Sequence, residues 1–188
     1  MYTVSKEDAV GRALKDYRCY KTESQAMETY IVTKVHPRSY GEKALHESLK
    51  LSSSRLSKSH MNSLEAVLLH APRCHGNGWK CTKEQYAHTW QSAWEILQEY
   101  KYSDIHGIKI ENIGVSNFDI RLLNEVLRIG ERQGHGQEDN DHYRHKKFLQ
   151  LDGSEELVKL SYLPDIVQNW MDPFYQDKEV RRFCSRNG

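Results

Sequence analysis

The sequence predicts an α/β fold, a parallel (β/α) barrel of TIM type that is incomplete. Three observations point there. Short apolar, β-branched runs alternate with amphipathic helical stretches four times, and such alternation means parallel strands joined by crossover helices. Each predicted strand ends on polar side chains: Lys34, His70, Ser116 with Asn117, and Gln168 with Asn169. No strand is followed by the glycine-rich phosphate turn that an open doubly wound sheet usually carries. Function in a barrel sits at the C-terminal strand tips, so polar tips favour the barrel.

The elements follow in order. Residues 5–16 give a helical stripe of Ala9, Val10, Ala13 and Leu14, with Ser5 as N-cap and Asp8 three residues on. "TYIVTKV" (29–35) is β-branched and stops before Pro37, so it reads as a strand. "GEKALHESLKLS" (41–52) is helical, with Ala44, Leu45 and Leu49 on one face. "LEAVLLH" (64–70) is a strand ending before Pro72. "KEQYAHTWQSAWEILQEY" (83–100) places Tyr86, Trp90, Ala93, Trp94 and Leu97 at helical spacing. "IENIGVSNF" ends the third strand on Ser-Asn, and "DIRLLNEVLRIGER" (119–132) follows as a helix capped by Asp119. "DIVQNWM" (165–171) is the fourth strand, and "DKEVRRFCSR" (177–186) begins a last helix. Two polar segments, 52–62 and 133–156, read as surface insertions, the second with room for a short helix at 155–160.

The totals narrow the function classes. A chain of 188 residues makes one domain with a real core, 1–188. Formal charge is +1 and no basic stripe dominates, so nucleic acid is not expected as a partner. No apolar run approaches a membrane span, and "MYTVSKEDAV" has no signal-peptide core, so neither membrane nor secretion is expected. Cys19, Cys74, Cys81 and Cys184 are irregularly spaced and read as free thiols in a reducing, cytoplasmic compartment.

The strand tips suggest chemistry, each residue with a plainer reading beside it. Lys34 interrupts a β-branched strand. It either binds an anion and lowers the pKa of a phenol, or extends its ammonium to water. His70 either hydrogen-bonds a substrate carbonyl or satisfies a structural bond. Ser116, Asn117 and Gln168 offer the donors and acceptors that recognise an amide, although Ser-Asn is also a common turn and cap. Phe118 and Trp170 wall a pocket or fill the core. "CHGNGWKC" (74–81) matches no ordinary zinc spacing, so no metal site is expected.

Together the tips are more specific than any one of them. "YIVTKVHPR", "VLLHAP", "IENIGVSNF" and "VQNWMDPF" resemble aldo-keto reductases in order and in strand position. "SKEDAVGRALKD" resembles that family's helix after the second barrel strand, so the resemblance covers nearly the whole chain, as about strands three to six of eight. It implies an oxidoreductase that transfers hydride between NADP(H) and a small carbonyl or alcohol. In the family, the residues matching Ser116, Asn117 and Gln168 hold the nicotinamide carboxamide. Lys34 matches the active-site lysine, His70 the active-site histidine, and Tyr2 the proton-donating tyrosine.

The departures set further expectations. The spacing from Tyr2 to Gly11 is two residues longer than the family's, and the lysine's aspartate partner falls before Met1. The first two strands, the last two strands, the stacking aromatic and the phosphate grip also fall outside the sequence. The reading is therefore a truncated reductase with little or no turnover. The alternative is a non-catalytic binding or scaffold protein of the same origin. Four strands leave two open edges, which invite self-association.

Overall fold

Four parallel strands run side by side in sequence order: β1 (Val32–Val35), β2 (Ser63–Leu69), β3 (Lys109–Ser116) and β4 (Ile166–Gln168). Each neighbouring pair is parallel, as the alternation predicts. The computed structural model describes residues 4–20, 30–56, 63–73, 89–134 and 162–187. Its helices are α1 (Val4–Tyr20), α2 (Glu42–Leu56), α3 (Trp90–Tyr102), α4 (Ile120–Gly134) and α5 (Lys178–Asn187). A 3-10 turn, Pro37–Ser39, follows β1.

Strand side chains alternate between faces, and the alternation sorts this sheet. Val35, Val67, Leu69, Ile113 and Val115 share one buried cluster with Leu45 and Leu49 of α2, Trp94 and Leu97 of α3, and Leu123 and Val126 of α4. These five lie toward the strand C-termini and have odd numbers, so the even-numbered residues at that level face away from the helices, whereas Leu64 and Ile110 join the cluster near the strand starts. Register then lines up Lys34, Leu68, Gly114 and Ile166 in one row, with Ser116 beside Gln168 one step further on. Fully burying each large apolar side chain contributes about 1.5–3 kcal/mol, so the helix-side cluster dominates the fold's stability.

Gly114 is glycine because the row is crowded. A Cβ there would run into the Ile166 carbonyl oxygen and Leu68 Cδ2. Gly11 does the same for the helices, since a Cβ on it would meet the Arg55 carbonyl of α2.

Several boundaries differ from the sequence reading. α1 already begins at Val4, so Ser5 lies within it, and Asp8 pairs with Arg55 Nε at 2.6 Å. Tertiary charge pairing outweighs the local signal there. Residues 52–56 are not an insertion, because α2 continues to Leu56 with Ser52, Ser53 and Leu56 buried. The Ser52 hydroxyl donates to Glu7 Oε1 at 2.8 Å, so a polar residue is buried with its bond made. α3 begins at Trp90, capped by Thr89, whose Oγ1 accepts the Ser92 N–H at 3.3 Å. β4 is only three residues long, and Asp172 Oδ1 then accepts the Phe174 and Tyr175 N–H groups at 2.7 and 2.6 Å to form a turn. Asp119 caps α4 as expected, with Oδ1 accepting the Leu122 N–H at 3.0 Å. Burial pushes its carboxyl up, but that N–H and the Arg121 guanidinium outweigh it and hold the group below the usual range. Tyr2, "CHGNGWKC", residues 57–62 and 83–88, and the segment 135–156 with the rest of the 155–160 helix lie outside the described residues.

Candidate active site

The polar residues at the strand tips do meet. Lys34 is the third residue of β1, and its side chain must pass over β2 to reach β3. Its Nζ donates to Ser116 Oγ at 3.1 Å. Ser116, the last residue of β3, is buried and also accepts from Asn117 Nδ2 at 3.1 Å. The same Asn117 amide donates to the His70 carbonyl at 2.8 Å, tying the tip of β3 to that of β2. The Asn117 backbone N–H donates to the Gln168 carbonyl at 3.0 Å, tying in β4. One left-handed residue, Asn117 at φ 64°, makes both links, a conformation that asparagine tolerates better than most.

Electrostatics follow from this crowding. Burial lowers the Lys34 ammonium's pKa, although much of the residue stays exposed and solvent screens the effect. Burial lowers the pKa of the His70 imidazole, and the positive charge of Lys34, then His36 and Arg73, adds to it. The His36 and His70 rings meet edge to face, with centroids 5.8 Å apart. A neutral His70 is therefore favoured near pH 7, where the ordinary imidazole value of about 6.5 already disfavours the cation.

Two residues that the sequence did not single out hold the site in place. Tyr40 is fully buried, and its hydroxyl donates to the Ala71 carbonyl at 2.7 Å while accepting the Ala71 N–H at 3.3 Å. It anchors the turn directly after His70. Asn169 was noted only as a polar tip. Its Oδ1 accepts the Phe118 N–H at 3.1 Å, and its Nδ2 donates to the Phe118 carbonyl at 2.7 Å and to Asp177 Oδ2 at 2.9 Å. A local signal marks neither partner set, since both join segments far apart in sequence. A separate concavity of about 400 Å³ lies on α5 among Lys178, Arg181, Arg182, Ser185 and Arg186. It gathers cations from a single helix and no acid–base pair, so it is not the candidate site.

A family model described as the aldo/keto reductase family matches residues 1–188. The chain belongs to the aldo/keto reductase family. Solved structures agree on the fold. An aldo/keto reductase from Brucella melitensis matches with a TM-score of 0.55 and 19% identity, over 96% of this chain and 50% of that one. Aldose reductase from Giardia lamblia matches with a TM-score of 0.57 and 19% identity, over 100% of this chain and 52% of that one. The chain thus spans about half the length of these structures, and its four parallel strands form part of the aldo/keto reductase barrel. No curated protein matches the sequence significantly. Of the residues singled out by resemblance to aldo/keto reductases, the fold brings Lys34, His70, Ser116, Asn117 and Gln168 to one end of the sheet. Tyr2 lies outside the described residues.

Proposed function

We propose that this chain carries the nicotinamide-facing part of an NADP(H)-dependent oxidoreductase acting on a small carbonyl or alcohol. The observation that carries this reading is the hydrogen-bond inventory at Ser116 and Asn117. Ser116 Oγ accepts two bonds, from Lys34 and Asn117, which leaves its own O–H to donate. Asn117 spends its Nδ2 on Ser116 and His70, which leaves Oδ1 to accept. One donor beside one acceptor is the complement of a primary carboxamide, and the exposed Gln168 amide adds to the set. A bound nicotinamide would supply hydride chemistry. The chain's own residues would orient the ring, which is positioning catalysis. A neutral His70 would hydrogen-bond the substrate oxygen, and Lys34 would favour negative charge developing there. By resemblance, Tyr2 would give the proton. A cytoplasmic setting fits the free Cys184 thiol, and no described helix is long and apolar enough to cross a membrane.

One observation favours the second reading, a binding or scaffold protein without turnover. Among the described residues Lys34 has no carboxylate partner, and burial lowers its ammonium's pKa. Without a carboxylate to hold it, the ammonium is less firmly positioned to act on a tyrosine hydroxyl. The test is NADPH titration followed by tryptophan fluorescence, then loss of nicotinamide absorbance with a panel of aldehydes. Binding is expected, and Ser116→Ala should weaken it by up to about tenfold, the worth of roughly one hydrogen bond. Absence of NADPH binding would sink the cofactor reading. Turnover in the ordinary range of about 1–10³ per second, abolished by His70→Ala, would eliminate the scaffold reading.

A further inference from the structure

Cations crowd the tips of β1 and β2 beyond what the candidate site uses. β1 runs on into His36 and Arg38, and β2 into His70 and Arg73. Backbone and tyrosine bonds hold the two turns together. The His70 N–H donates to the Val35 carbonyl at 3.0 Å, and the buried Tyr40 hydroxyl donates to the Ala71 carbonyl at 2.7 Å. The Arg73 N–H folds back onto that Ala71 carbonyl at 2.8 Å. Buried Pro37 and its 3-10 turn fix the β1 side. The His36 and His70 rings consequently stand 5.8 Å apart. His36 is exposed, and its Nδ1 accepts the Arg38 N–H at 3.2 Å, which leaves the proton on Nε2 and makes that nitrogen a donor. From the described residues, every charge acting on these two imidazoles is positive: Arg38 and Arg73 on His36, and Lys34, His36 and Arg73 on His70. His46 differs, since Glu42 stands 3.9 Å from its Nε2. Like charges gathered on rigid turns repel one another, and a bound anion offsets that cost.

We infer that His36 and Arg73 form a specificity collar beside His70, and that it receives a carboxylate carried by the substrate a few bonds from its carbonyl. The role rests on the redox reading, in which His70 takes the carbonyl oxygen. The chemistry of the groups selects the ligand. A guanidinium matches the two oxygens of a carboxylate, and a neutral imidazole N–H adds a further donor. Spacing selects its size, because rings 5.8 Å apart lie within reach of one small oxo acid with carbons between its two polar ends. Position leaves room for it. The nicotinamide amide is assigned to Ser116, Asn117 and Gln168 on the β3–β4 side, whereas His36 and Arg73 follow β1 and β2.

The test is a titration of the chain, alone and with NADPH, followed by NMR of the histidine imidazoles. The probes are levulinate and methyl propyl ketone, which share a methyl ketone and a carbon count and differ by the carboxylate. Levulinate should bind more tightly by about tenfold or more, the worth of one charge-assisted hydrogen bond, and should move the His36 and His70 signals together. Arg73→Met should erase most of that preference, and Arg73→Lys should keep part of it. Equal binding of the two probes, binding of neither, or levulinate binding that leaves the His36 signal in place would overturn the inference. The NADPH arm separates the two readings. Cofactor binding without a preference for the acid overturns the collar alone. A preference for the acid without cofactor binding sinks the redox reading and keeps the carboxylate site. The comparison of probes on the unmodified chain decides the matter even if an Arg73 variant fails to fold.

Discussion

Gly114 shows how a single missing methyl group governs the site. It lies in the same row as Lys34 and two residues before Ser116, and no Cβ fits between Leu68 and the Ile166 carbonyl. Gly114→Ala should force β3 and β4 apart or push Leu68 off its rotamer, at a cost of about 1–3 kcal/mol. Urea denaturation of the variant should show the loss as a lower midpoint, and an unchanged midpoint would contradict the crowding. The sequence reveals residues such as Lys34, His70 and Ser116 because each breaks an apolar run at the place where a strand must end. It conceals Tyr40, whose role exists only once Ala71 is beside it. A tyrosine before a helix has no pattern that names its partner 31 residues away.

Among the elements, the joint between β4 and the start of α4 depends on one amide. Asn169 accepts from one side of Phe118 and donates to the other, while also donating to Asp177. Asn169→Asp keeps the shape but turns a donor into an acceptor facing the Phe118 carbonyl and the Asp177 carboxylate. The variant should lose about 1–3 kcal/mol, the cost of leaving part-buried polar groups unpaired. It should lose more than Asn169→Ser, which retains a donor, and equal midpoints in urea would argue against the clamp. Element type was legible because strand runs and helical stripes have different periods. Element ends were less so. Serines 52 and 53 read as the end of a helix and the start of an insertion until Glu7 supplies a part-buried acceptor for Ser52, and Thr89 reads as mid-helix until its hydroxyl takes the Ser92 N–H. In both cases the deciding partner is tertiary or capping geometry, which composition does not carry.

At the scale of the whole molecule, three histidines make the fold sensitive to mild acid. His36, His46 and His70 are each held below the ordinary imidazole range, in every case chiefly by burial. His36 also feels Arg38, His46 feels His106, and His70 feels Lys34. In the unfolded chain they would titrate near about 6.5. As pH falls through that value the unfolded state takes up more protons than the folded one, so stability decreases. Thermal unfolding should therefore occur at a lower temperature at about pH 5.5 than at about pH 7.5, on either side of the free imidazole value. A flat or opposite profile would mean these rings are more solvated than their packing indicates. Asp119 does not confuse the measurement, because its depressed carboxyl acts only at lower pH. The strand order has a consequence in time. Among the four described strands, β2, β3 and β4 each pair with the strand made just before them, so these pairings need no distant partner. A chain leaving the ribosome can add β2 to β1, then β3 to β2, each with its helix, and β4 arrives last onto an existing template. Parallel pairings still close long loops, so each addition is slow, and the three-residue β4 should be the first strand to detach when the folded chain begins to open.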